Sequence, residues 1–192
     1  MNLTDYEESL RSTVRLARLS FSSAASSVFL YNEERDVLVF EAASGVGEDT
    51  IIGMELPANH GIAGWVASTG EPILIRDVSE DSRFDLDTAA ETGYVPEVIM
   101  AIPLIQKGEI IGVMEVLDPK LESMNDITAL DMLSELATQA ATVLSLVPRN
   151  RSRADALRAE AAARFDALLE AIPERNLDGL GRLLDAIGAI VG

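Results

Sequence analysis

Gly61-Ile-Ala-Gly-Trp-Val-Ala-Ser-Thr-Gly-Glu-Pro-Ile-Leu-Ile-Arg-Asp-Val78 opens the stretch that decides the fold. An acidic loop carrying Phe84 follows. Then come Val98-Ile-Met-Ala-Ile-Pro-Leu104, the turn Gln106-Lys-Gly-Glu109, and Ile110-Ile-Gly-Val-Met-Glu-Val-Leu-Asp118. Residues 61–68 predict a short helix, ended by Gly70 where a left-handed cap is favoured. Pro72 to Asp77 reads as a strand. Val98 to Ile105 and Glu109 to Leu117 read as a hairpin, with Gly108 at a turn position that needs a positive φ. Both hairpin strands are apolar at nearly every residue, which predicts a sheet covered by helices on both faces.

Working outward, residues 4–20 predict a helix. Thr4 and Glu7 fit a capping box, in which hydroxyl and carboxylate satisfy backbone donors at a helix start. Leu10, Val14 and Ala17 share one face, and Arg11, Arg15 and Arg18 sit in the later turns, where the helix dipole favours cations. Residues 26–31 and 36–42 predict a hairpin around Asn32-Glu-Glu-Arg35, with Val37, Val39 and Glu41 alternating against Leu38, Phe40 and Ala42. A short strand is expected at Met54–Leu56, stopped by Pro57, and one helical turn near 88–92. Residues 126–146 predict a long helix whose stripe is Ile127, Leu130, Leu133, Leu136, Ala137, Ala140, Ala141 and Leu144.

Pro148 and the cluster Arg149-Asn-Arg-Ser-Arg153 mark a boundary between a domain of residues 1–147 and an extension of residues 148–192. The extension predicts a helical hairpin. Ala154, Leu157, Ala161, Leu168 and Ile172 keep a near-heptad spacing with Phe165 one step off. Leu177, Leu180, Leu184, Ile187 and Val191 alternate steps of three and four, the seam that two packed helices need.

The 192 residues carry a formal charge of −17, from 15 basic and 32 acidic side chains. Such a surface repels nucleic acid and anionic lipid, so neither is an expected partner. A solvated acidic surface or adaptation to high salt would both account for the charge. No apolar run approaches the ~18 residues of a membrane span, and no basic-then-apolar leader opens the chain, so a cytoplasmic location is expected. With no cysteine in the sequence, thiolate chemistry and disulfides are excluded.

Gly61-Ile-Ala-Gly-Trp-Val-Ala67, Glu71-Pro-Ile-Leu-Ile-Arg-Asp-Val78 and Ile111-Gly-Val-Met-Glu-Val-Leu-Asp118, in that order and spacing, resemble GAF domains, the small-molecule-sensing modules of many bacterial signalling proteins. The resemblance covers roughly residues 4–147. It implies an α+β fold, an α/β/α sandwich whose central antiparallel sheet of five to six strands has helices on both faces. It also implies a pocket between one sheet face and the segments 54–65 and 77–94. Candidate ligand-contacting residues are Asn59, His60, Trp65, Asp77, Phe84, Tyr94, Met100, Ile102 and Met114, which combine aromatic and flexible apolar walls with few polar groups. Core packing is the plainer reading of the apolar members.

Specific chemistries fare less well. The Asn-Lys pair that many cyclic-nucleotide-binding relatives carry is absent. Glu97-Val98 stands where Arg-Ser often begins the strand, and a carboxylate would repel a cyclic phosphate. Bilin attachment and thiol-dependent methionine-sulfoxide reduction need a cysteine. His60, the one histidine, is the only candidate for a haem ligand, and a metal site would need several His or carboxylate ligands at fixed spacing. No cofactor is expected. Asp77, Glu80, Asp81, Asp85 and Asp87 could form a cation-binding or capping network, or simply a solvated loop. There is no phosphate-binding glycine loop and no nucleophile triad, so catalysis is not expected.

Two functions remain. One is a sensor that binds a small molecule and biases the packing of flanking helices, which requires different ligand affinities for two helical states. The other is a ligand-free structural or adaptor protein that docks a signalling partner through its C-terminal helices. No output domain follows in this chain, so a signal would pass by association. A homodimer is expected. The candidate interface residues are Leu10, Val14, Leu130, Leu133, Leu157, Phe165, Leu180, Leu184 and Ile187.

Overall fold

Two antiparallel hairpins meet side by side at the centre of the sheet. In the computed structural model, which describes residues 3–122 and 124–146, the first hairpin is β1 (Ala25–Asn32) and β2 (Val37–Gly45). The second is β5 (Ile99–Gln106) and β6 (Glu109–Leu117). They join through β1 and β6, and β3 (Glu55–Pro57) and β4 (Ile73–Ile75) add the two edges. The order is β3-β2-β1-β6-β5-β4, antiparallel throughout. Helices α1 (Leu3–Ser20) and α5 (Asp126–Leu146) belong to one face. The other face carries α2 (Glu48–Ile51), α3 (Gly61–Thr69), a 3-10 turn at Val78–Glu80 and α4 (Leu86–Glu91). This is the expected α+β sandwich. All of it lies in one compact unit, Met1–Val147.

The turn between β5 and β6 has Lys107 at φ 52 and Gly108 at φ 87. Two consecutive left-handed residues match the right-handed twist of the strands, as a two-residue hairpin demands. Gly70 closes α3 as its C-cap, with its N–H donated to the Val66 carbonyl.

Each sheet face buries its own core. Val28, Met100, Ile102, Leu104, Met114 and Val116 pack with Leu10, Val14 and Phe21 from the N-terminal segment and with Leu133 and Ala140 of α5. On the opposite face Phe29, Leu38, Phe40, Ala101 and Val113 pack with Ile62, Val66 and Ile75. Full burial of each large apolar side chain contributes about 1.5–3 kcal/mol. The simple alternation expected along residues 37–42 breaks at a bulge between Val28 and Phe29, where Val28 pairs with Ala42 but Phe29 pairs with Phe40. The extra residue, Glu41, accepts a hydrogen bond from the Tyr6 hydroxyl of α1 at 3.1 Å. Ala42 accordingly joins the helix-side core while Leu38 and Phe40 face away from it.

Three of the expected interface residues are corrected. Leu10, Val14 and Leu133 are 1%, 0% and 0% exposed, because their stripes are already satisfied by the sheet. Leu130 is half-buried beside the same core. Ile127, expected on the apolar stripe of α5, is 74% exposed instead. The C-terminal hairpin, with Leu157, Phe165, Leu180, Leu184 and Ile187, lies outside the described residues, as does the Thr4 side chain of the expected capping box.

Candidate functional site: a pocket with an acidic floor

A cavity of about 90 Å³ opens on the sheet face opposite α1 and α5. One water needs only ~10–15 Å³ on this scale, so the space exceeds that of a single water several-fold. The sheet contributes Ala25, Ser27, Phe29, Phe40, Ala43, Ile99, Glu115 and Leu117. The edge strand β3 adds Leu56, and the covering segments contribute Val46, Ile51, His60, Ile62, Ala63, Phe84, Asp85, Thr88, Ala89, Thr92, Tyr94 and Pro96. Phe29 and Phe40 face each other with ring centroids 4.2 Å apart.

The hollow has a cause in the strands. In the register of the sheet, Glu115 lies opposite Ser27 on β1 and Ala101 on β5, and Ser27 lies opposite Ala43 on β2. Small side chains on both sides of Glu115 leave the space above it unfilled. Glu115 is 9% exposed. No hydrogen bond or ion pair reaches it among the described residues, and burial alone pushes its carboxyl up to about 7.

The covering loops are held by local carboxylate caps. Asp77 accepts from the Ser79 N–H at 3.0 Å and the Ser79 hydroxyl at 2.6 Å, starting the 3-10 turn. Asp81 accepts from the Arg83 N–H and Nε at 3.0 and 2.8 Å, and Arg83 holds its carboxyl below the usual range. The Arg83 guanidinium also lies 4.5 Å above the centroid of the Trp65 ring. Asp85 caps α4 through the Thr88 N–H at 3.2 Å and hydroxyl at 2.7 Å. Of the two readings of this acidic loop, capping is what the structure shows for these three. Among the described residues no cluster of three or more His, Asp or Glu side chains is placed to hold a metal.

Of the sequence candidates, His60, Phe84 and Tyr94 line the cavity. His60 is the N-cap residue of α3, with Nδ1 2.7 Å from Asn59 Oδ1. Asn59 is exposed and outside the walls, and Trp65 is half-buried beneath Arg83. Asp77 is occupied as a cap. Met100, Ile102 and Met114 are corrected: they point to the α1 and α5 side, 0%, 3% and 0% exposed. One residue along, Ile99 and Glu115 face the cavity, because successive residues of a strand point to opposite faces. The sequence reading passed over Glu115. Its signal was a lone carboxylate inside the apolar run Ile111–Leu117.

A family model for the GAF domain matches residues 4–145, and the chain belongs to the GAF domain family. Among solved structures, a GAF domain from a phosphoenolpyruvate-protein phosphotransferase of Coxiella burnetii superposes with a TM-score of 0.66 at 20% identity, covering 78% of this chain and 86% of that one. The free methionine-R-sulfoxide reductase of Neisseria meningitidis, solved with its substrate, superposes with a TM-score of 0.60 at 21% identity, covering 75% and 80%. These likenesses concern the fold. A probable 3',5'-cyclic phosphodiesterase of Caenorhabditis elegans is 34% identical over 86 residues, 42% of this chain. The chain spans between 4% and 12% of the length of such curated phosphodiesterases. No described helix is long and apolar enough to cross a membrane.

Proposed function

We propose that this chain is a non-enzymatic sensor module that binds a small organic molecule in the cavity above β1, β2 and β6. The observation that carries this reading is an apolar-walled cavity of about 90 Å³ with a buried carboxyl in its floor that has no partner among the described residues. A pocket that were only a packing defect would not place an ionisable group there, since burying one without a partner is costly. Ligand occupancy would be transmitted by helix association, as a homodimer or by docking on a signalling protein, and exposed Leu16 and Leu19 on α1 support such a surface. A cyclic nucleotide fits poorly: among the described residues the carboxyl groups bordering the cavity are Asp85 and Glu115, and each repels phosphate when ionised. Thiol-based reduction of methionine sulfoxide has no cysteine to work with in this sequence.

Native mass spectrometry of the purified protein, followed by a thermal-shift screen of metabolites, tests the reading. A co-purifying mass or a ligand-dependent rise in unfolding temperature is expected. Absence of both favours the ligand-free adaptor, the second reading. Light scattering at micromolar concentration should report a dimer, and a monomeric mass would remove the association step.

A further inference from the structure

The floor of the pocket holds a buried carboxyl, that of Glu115. Glu115 sits in the middle of β6, flanked in the sheet by Ser27 and Ala101, neither large enough to cover it. It is nine-tenths buried yet has no protein partner among the described residues. Buried carboxylates ordinarily find a cation or several donors, because an unpaired charge away from water is strongly unfavourable. Here the unfilled space lies on the cavity side, and the ring walls of Phe29, Phe40 and Phe84 surround it.

We infer that Glu115 is the anionic anchor of this pocket and selects a small apolar molecule bearing an ammonium group. The ammonium supplies the missing donors and countercharge, and the apolar remainder fills the space between the phenylalanines. This rests on the reading of the cavity as a ligand pocket and names the ligand class for it. Among the described residues His60 is the one basic side chain that borders the cavity. The remaining titratable groups on its walls are Asp85 before α4 and Tyr94 before β5, while β1, β2, β5 and α2 bring none. The field in the pocket therefore favours a cation from more than one side. Because burial pushes the Glu115 carboxyl up to about 7, the anchor is charged above neutrality and protonated below it. Affinity for an ammonium compound should rise with pH across that value.

Benzylamine, benzyl alcohol and benzoate present one ring with a cation, a neutral hydroxyl and an anion. Isothermal titration of each into the full chain is the test. Benzylamine is expected to bind about tenfold or more tighter than benzyl alcohol at pH 8, as one charge-assisted contact of about 1.5–3 kcal/mol requires, with benzoate weakest. Below pH 7 that advantage should fall by up to about tenfold per pH unit. His60 also borders the cavity, so the pH series is repeated on His60→Asn, where the dependence should persist. Glu115→Gln should erase the benzylamine advantage while benzyl alcohol binds within about threefold of wild type, since one uncharged contact is worth little. Equal binding of amine and alcohol by the wild type, an advantage that survives in Glu115→Gln, or a pH dependence lost in His60→Asn would each overturn the inference while leaving the pocket reading standing. If none of the three compounds binds the wild type, the pocket reading fails and the inference with it.

Discussion

Asp118 holds Tyr94 against the end of β6. The Tyr94 hydroxyl donates to Asp118 Oδ2, and the other carboxylate oxygen accepts the N–H groups of Glu97 and Val98, each at 2.8 Å. Asp118 does this from a left-handed backbone position, φ 50, where Asp is better tolerated than most residues. One side chain thus ties a cavity wall to the strand that carries the cavity floor. The hydrogen bond to Asp118 also pushes the Tyr94 phenol up to about 12.

Asp118→Ala removes three acceptor contacts and places a less suitable residue at positive φ. A loss of about 2–4 kcal/mol is expected in urea unfolding, at ~1 kcal/mol or more per bond. An unchanged midpoint would mean that the segment before β5 is held by other contacts.

Glu115 makes stability depend on pH with a definite sign. Its carboxyl moves from an ordinary 4.5 to about 7 on folding. Between those values the native protein keeps a proton that the unfolded chain has lost, so stability falls as pH rises through the interval and stays reduced above it. At ~1.4 kcal/mol per unit the contribution is about 3 kcal/mol. Glu115→Gln should therefore gain on the wild type by about 2–3 kcal/mol between pH 5 and pH 8. Parallel pH profiles of the two proteins would contradict this.

Trp65 is the single tryptophan, so the protein's tryptophan emission reports on the surroundings of that ring, of which the Asp81–Arg83 clasp is a part. Arg83→Ala should expose the ring and shift its emission to longer wavelength, with a stability loss of about 1 kcal/mol, the scale of a cation–π contact with a partly exposed ion pair. Arg83→Lys keeps the charge but not the fork, and should fall between the two. No spectral change in Arg83→Ala would sink the contact.

Gly112 on β6 lies against the backbone of β1, opposite Leu30. A Cβ there would stand 2.0 Å from the Phe29 carbonyl oxygen, a backbone atom that can move only with its strand. Gly112→Ala should cost more than ~4 kcal/mol, the range in which single substitutions are exceptional. The same change at Gly53, where a Cβ would meet nothing within 4 Å, carries only the strain of its positive φ and should be far milder. Circular dichroism and thermal unfolding of the pair would separate the two effects.

Most of the element order was legible because those elements announce themselves locally, whereas α2 and the 3-10 turn at Val78–Glu80 did not. The residues of α5 repeat with a helical period, Lys107-Gly108 demands a tight turn, and Gly70 stops α3. Which side of the sheet holds the cavity was not legible. In β5 and β6 both faces are apolar, so alternation sorts Met100, Ile102 and Met114 together but does not say what lies over them. The same ambiguity misassigned Leu10, Val14 and Leu133 to an interface, since an apolar stripe looks alike whether a sheet or a second chain covers it. His60, Phe84 and Tyr94 were traceable because they stand in loops, where large side chains have fewer structural duties. The bulge at Glu41 leaves no mark in the sequence, where residues 37–42 read as a simple alternation.

The central strand β6 is a partition one residue thick. Glu115 looks into the cavity while its neighbours Met114 and Val116 are part of the core that seats α1 and α5. On the proposed reading, a molecule that enters the cavity and leans on Glu115 would press from behind on the surface where those helices rest. Chamber and helices share a wall, so such a push would need no intermediary.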